Sequence, residues 1–173
     1  MTGITYHPLY DPNHCVFRLL CLFRFSGDLV FEDDRLRIID FYVLNPFLIK
    51  SIELTKELRG KLNQMGLDRI SLPYQELPKP RALFNRLEPI QRISIRHLAG
   101  LGLISRQRLL EDYIQPTLAA NLSADFAARI DGFVKQNQAV FSFLVHDLAE
   151  ISLSGKDGLK RRTELMEHRY DAA

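Results

Sequence analysis

Residues 15–25 carry apolar side chains almost all the way round a helix, with only Arg18 and Arg24 interrupting them. A helix of that kind has no face to give to water, so it belongs in a core or an interface, and the rest of the chain must be arranged around it. Its two arginines and its length, well short of the ~20 apolar residues a membrane span needs, exclude a transmembrane reading. A second segment constrains the fold almost as strongly. From Ser123, a capping residue, Phe126, Ile130, Phe133, Val134, Phe141, Leu144, Val145, Leu148 and Ile151 recur as one broad stripe, which predicts a long C-terminal helix. Ser154, Gly155, Lys156, Asp157 and Gly158 then supply a stop. The expected fold class is mainly α.

The intervening chain reads as further helices separated by proline and glycine. Tyr6, His7, Pro8, Leu9, Tyr10, Asp11 and Pro12 predict an extended or turning arm, anchored by its two tyrosines, that enters a helix near His14. Gly27 and Asp28 end that helix. The acidic run Glu32, Asp33, Asp34 suits the positive end of a helix dipole, with Leu36, Ile39 and Val43 following at helical spacing. Asn45 and Pro46 break this helix or begin the next. Residues 47–65 are read as one amphipathic segment closed by Gly66. Pro73, Pro78 and Pro80 make residues 68–80 a linker or long surface loop. The expected organisation is an N-terminal helical part over 1–67, the linker, and a C-terminal helical part over 81–173; whether the halves share one core is open at this stage.

In the second half, Leu83, Leu87, Ile90, Leu98 and Leu101 mark a helix over 82–104 that finishes in Gly100, Leu101, Gly102, Leu103 and Ile104. Such a glycine corner resembles the passage from the third helix of winged-helix domains into the wing, where glycine permits the sharp turn. Arg92 and Arg96, four residues apart on this helix, with Arg106 and Arg108 beyond the corner, are candidate phosphate contacts. Glu88 and Arg92 equally have the spacing of an ordinary stabilising surface pair. Lys160, Arg161 and Arg162 form the densest basic cluster, in a tail over 159–173 read as a short helix with a frayed end.

With 173 residues, 46% hydrophobic and 25% charged, the chain is long and apolar enough to bury its own core. Its net charge of +2 is too mild to mark a nucleic-acid binder by itself. Cys15 and Cys21 lie six residues apart and point to different sides of a helix, so no internal disulfide is expected. With no secretory pattern at the amino terminus, a cytoplasmic location is expected.

Reactive groups do not converge in the sequence. None of His7, His14, His97, His146 and His168 has a second ligand at helical spacing, and a metal site from His7, His14 and Cys15 is weaker than a structural role for them. No metal and no cofactor is expected. No phosphate-binding loop or nucleophile elbow is present, and a thiol within an apolar helix has its pKa raised. The carboxylate pairs Asp33, Asp34 and Glu111, Asp112 read as solvated helix ends. An enzyme is therefore the weakest class.

Two stretches, residues 6–20 (Tyr-His-Pro-Leu-Tyr-Asp-Pro-Asn-His-Cys-Val-Phe-Arg-Leu-Leu) and 34–47 (Asp-Arg-Leu-Arg-Ile-Ile-Asp-Phe-Tyr-Val-Leu-Asn-Pro-Phe), together resemble the middle component of ABC three-component systems, which overlap the Lamassu type of anti-phage defence. The resemblance implies a non-catalytic adaptor that joins an ATPase of the structural-maintenance-of-chromosomes (SMC) kind to an effector, often a nuclease. It carries over no site residues. Under that reading part of the apolar surface is interface, with Phe17, Leu20, Phe23, Phe133, Phe141 and Leu144 as candidates, although such stripes also serve a bundle packing on itself. The competing readings are a winged-helix DNA-binding regulator and, more distantly, an enzyme with an unrecognised site.

Overall fold

The computed structural model describes residues 11–71, 78–117 and 122–167. The arm with Tyr6, His7 and Tyr10, the middle of the proline-rich loop, and the end of the tail with His168 lie outside the described residues.

Helix α1 (Pro12–Ser26) begins where its sequence provides a start: Asp11 accepts a hydrogen bond from the Asn13 amide at 2.8 Å, and Pro12 takes the first helical position. Strand β1 (Phe31–Glu32) leads into α2 (Asp33–Leu44), whose first turn holds Asp33 and Asp34 as the dipole argument requires. Pro46 then opens a 3-10 turn, Pro46–Ser51. Helix α3 (Lys56–Gln64) is capped by the Thr55 hydroxyl, which accepts from the Leu58 amide, and Gly66 at φ 71° follows it, a left-handed turn that glycine adopts without steric penalty.

The single amphipathic segment expected over 47–65 is thus two pieces joined by an extended stretch. The break has a tertiary cause. The Glu53 amide donates to the Arg162 carbonyl at 3.1 Å, and the Arg162 guanidinium returns a bond to the Glu53 carbonyl at 3.0 Å. Helix α8 (Leu159–Thr163) therefore claims the backbone groups that a continuous helix would have used on itself.

Helix α4 (Pro80–Gly100) starts on Pro80 and turns at Gly102, φ 72°, so the glycine corner is present. The wing is not. The chain passes Ile104, bridged to Pro116, directly into the short helix α5 (Arg106–Leu109) and then into β2 (Tyr113–Ile114). Instead of forming a hairpin with a neighbouring strand, β2 pairs antiparallel with β1, Phe31 opposite Ile114.

The long C-terminal helix starts as expected, with the Ser123 hydroxyl accepting from the Phe126 amide at the head of α6 (Ala124–Gln136). It does not run unbroken to Ile151. Asn137 leaves helical geometry at φ −111°, ψ 20°, and its side-chain amide donates to the Phe133 carbonyl at 2.9 Å, the local competition that makes asparagine a helix interrupter. Helix α7 (Gln138–Ser142) then widens into a π turn, Phe143–Asp147, and closes as a 3-10 turn, Leu148–Glu150. Arg35 of α2 ends the run, donating to the Leu148 and Ile151 carbonyls at 3.2 and 2.9 Å.

One contiguous core collects Leu19 and Phe23 of α1, Phe41 of α2, Leu87 and Leu98 of α4, and Phe141 and Leu144 beyond α6. It draws on both sides of the proline-rich loop. Helix α1 lies against α2, α4 and α6, which is why its side chains are apolar nearly all round.

Candidate functional site

The candidate phosphate contacts on α4 and α5 end up in different situations. Arg92 pairs with Glu88 at 2.9 Å, the surface pair its spacing anticipates. Arg106 is turned back onto α4, donating to the Ala99 and Gly100 carbonyls at 3.0 and 3.1 Å, where it satisfies carbonyls that the helix end leaves open. Arg108 pairs with Glu111 at 2.6 Å and stacks over the Tyr113 ring. Arg96 is exposed, with neither an ion pair nor a backbone carbonyl to hold it among the described residues. The tail cluster is occupied too: Lys160 meets Asp34 at 3.1 Å, Arg161 meets Glu53, and Arg162 holds the Glu53 and Asp157 carbonyls.

The apolar interface candidates are placed mostly inside the chain. Leu20, Phe23, Phe141 and Leu144 are buried, and Phe17 and Phe133 are partly buried against the core. An aromatic series explains their positions. Phe17 of α1 meets Phe126 and Phe133 of α6 edge-on, with centroids 6.1 and 5.4 Å apart. Phe133 meets Phe141 at 6.1 Å, and Phe141 meets Phe25 at 5.6 Å. The stripe of the C-terminal helical run therefore packs against α1, with Phe17, Phe126 and Phe133 still partly exposed.

A buried polar cluster where α1, α2 and α4 meet was not anticipated from the sequence. Arg18 and Asp40 are 1% and 0% exposed and form a two-pronged pair, with the guanidinium Nε and Nη2 donating to the two carboxylate oxygens at 2.8 and 3.0 Å. Gln91 of α4 donates from Nε2 to Asp40 Oδ2 at 2.8 Å and to the Arg37 carbonyl at 2.9 Å. Both of those oxygens only accept, so the amide orientation is forced. The third arm of Arg18 reaches His14 Nδ1 at 2.6 Å, which requires a neutral imidazole accepting at that nitrogen. Of the two arginines in the apolar run, Arg18 is buried and so needs a carboxylate beside it, whereas Arg24 meets Asp131 at the surface.

Chemically the cluster holds charge and has no free reactive group. Burial and the nearby Asp40 carboxylate push the Cys15 thiol up to about 12, and burial does the same to Cys21; both cysteines are free. Burial and the adjacent Arg18 cation lower the His14 pKa. The unfolded chain then binds a proton at His14 that the folded chain refuses, so stability is full above pH ~6.5 and falls as pH drops through the folded pKa. We expect the melting temperature to decline as the pH falls below ~6.5, and His14→Gln to flatten that decline; an identical pH profile in the variant would refute it.

The two carboxylate pairs, distant in sequence, converge. Asp33 and Asp34 at the head of α2 and Glu111 and Asp112 after α5 line one depression of about 350 Å³ with Glu32 and Arg92. Arg37, buried behind α2's first turn, pairs with Asp34 at 3.1 Å and with Glu88 at 3.3 Å. Among the described residues no group of three His, Cys, Asp or Glu is placed to hold a metal ion, and no helix is long and apolar enough to cross a membrane.

Fold and side-chain placement together define a mainly α protein with one shared core and its most buried ion pair enclosed within it. Over residues 4–171 the chain matches the family described as ABC-three component (ABC-3C) system Middle Component 5. It belongs to that family, and so is a middle component of a system with partner proteins. No curated protein and no solved structure matches.

Proposed function

We propose that this chain is the non-catalytic adaptor of its ABC three-component system, a cytoplasmic subunit that joins an ATPase of the SMC kind to an effector, often a nuclease, in Lamassu-like anti-phage defence. Membership of the middle-component family carries the reading. The side chains favour it over an enzyme: the two thiols are buried and protonated, and the Arg18–Asp40 pair, 1% and 0% exposed, directs its polar atoms at each other, at Gln91 and at His14. A DNA-binding regulator is the weaker alternative, since Arg92, Arg106 and Arg108 are engaged within the chain.

The test is co-expression with the products of the neighbouring genes, followed by a mass measurement of whatever assembly elutes. A single stable complex containing this chain, a long coiled-coil ATPase and an effector is expected. A chain that elutes as a solitary monomer in the presence of both, or that turns over a substrate unaided, would end the adaptor reading.

A further inference from the structure

We propose that the outer face of α4, continued by the tip of α5, is a docking surface for an acidic amphipathic helix of a partner protein. This rests on the adaptor reading and adds to it the surface and the chemistry of what binds there. Helix α4 buries Leu83, Leu87, Gln91, Ser94, Ile95 and Leu98 against α1 and α2. Its opposite face has no cover among the described residues. At 3.6 residues per turn, Arg86, Ile93, Arg96 and His97 fall within about 100° of arc on that face, and all four are exposed.

Charge identifies the occupant. The chain carries 23 basic and 21 acidic residues, and several of its surface arginines find carboxylates: Arg24 with Asp131, Arg81 with Glu167, Arg92 with Glu88, Arg108 with Glu111. Arg86 and Arg96 meet none among the described residues, and the strip between them contains no acid. Two uncompensated guanidinium groups on one rigid face are complementary to carboxylates supplied from outside.

Apolar exposure decides between protein and nucleic acid. Ile93 is 53% exposed, Leu101 59% and Leu110 88%. Arg106, bonded to the end of α4, fixes α5 there, and Leu110 follows it by one turn. Phosphates gain nothing from three exposed aliphatic side chains, whereas the apolar stripe of a partner helix would bury them. From Arg86 to Leu101 the face runs about 22 Å, the length of a four-turn helix. The surface is also held in advance of binding. The Ser105 amide donates to the Gln115 carbonyl and the Thr117 amide to the Leu103 carbonyl, so little ordering entropy opposes docking.

The experiment uses the full chain with its two co-expressed partner subunits and compares wild type with the double variant Arg86→Glu/Arg96→Glu, with Ile93→Asp, and with Arg129→Glu on α6 as a control. The substitutions are at exposed positions, so melting should be unchanged in all of them. We expect partner affinity to fall about tenfold or more in the first two variants and to stay at the wild-type value in the control. Hydrogen exchange on the wild-type complex should show new protection concentrated in residues 82–101 and 106–113. Full affinity in both α4 variants, or protection confined to other segments, overturns the docking surface while leaving the adaptor role standing. A short DNA duplex is the parallel probe: variants that lose duplex binding but keep the partners also overturn it. Failure of the wild-type chain to bind either subunit overturns both.

Discussion

Replacing Asp40 by alanine is expected to lower the unfolding free energy by about 3–5 kcal/mol, a large part of the ~5–15 kcal/mol that holds a domain of this kind together. Arg18 is 1% exposed and directs two of its three nitrogens at Asp40. Without the carboxylate, the guanidinium remains charged in a place that water does not reach, and Gln91 loses its acceptor at 2.8 Å. The cost comes from the abandoned cation more than from the lost attraction. Arg18→Met/Asp40→Leu should therefore cost less than Asp40→Ala alone, because both charges leave together and apolar volume is kept. Denaturant melts of the three proteins decide it. A loss below ~1 kcal/mol for Asp40→Ala would mean that the pair is solvated in solution.

The second large effect separates packing from docking. Phe141→Ala is expected to destabilise the chain by about 3–5 kcal/mol, the usual range for emptying a phenylalanine site in a core. Its ring is fully buried, between Phe25 at 5.6 Å and Phe133 at 6.1 Å. It sits where the C-terminal helical run turns onto α1, beside the buried Phe143, Leu144 and Val145, so collapse around the void is resisted. Ile93→Ala, on the exposed side of α4, should change stability by no more than about 0.5 kcal/mol. Equilibrium unfolding of the two variants side by side is the measurement. Near-equal effects would show that the interior described for Phe141 and the surface described for Ile93 are not distinct in solution.

The apolar stripe over 123–151 had two readings, an interface or a bundle packing on itself, and α1 is the element it packs against. Residues 17, 126, 133 and 141 are all phenylalanine, but nothing within one helix says which other helix its ring will meet. The arginines show the same limit. Arg92 finds Glu88 four residues away, a distance at which spacing alone is informative. Arg35 reaches carbonyls more than a hundred residues away, and Arg161 finds Glu53, at which distance spacing carries no information. The depression shared by Asp34 and Asp112 was hidden for the same reason: each pair reads locally as a solvated helix end.

What the amino-acid order determined by itself is whatever a residue negotiates with neighbours four or fewer positions away: the caps at Asp11, Thr55 and Ser123, the proline starts at Pro12, Pro46 and Pro80, the turn at Gly102, and hence a mainly helical chain. The tertiary structure alone decided where helices were cut or bent by contacts from afar, as at Glu53, and which apolar face and which charge each distant partner would cover, as at Arg18 and Asp40. Hydrogen-bond geometry and helical period are short-range and leave a trace in spacing. The burial of one surface against another depends on every element at once and leaves no such trace.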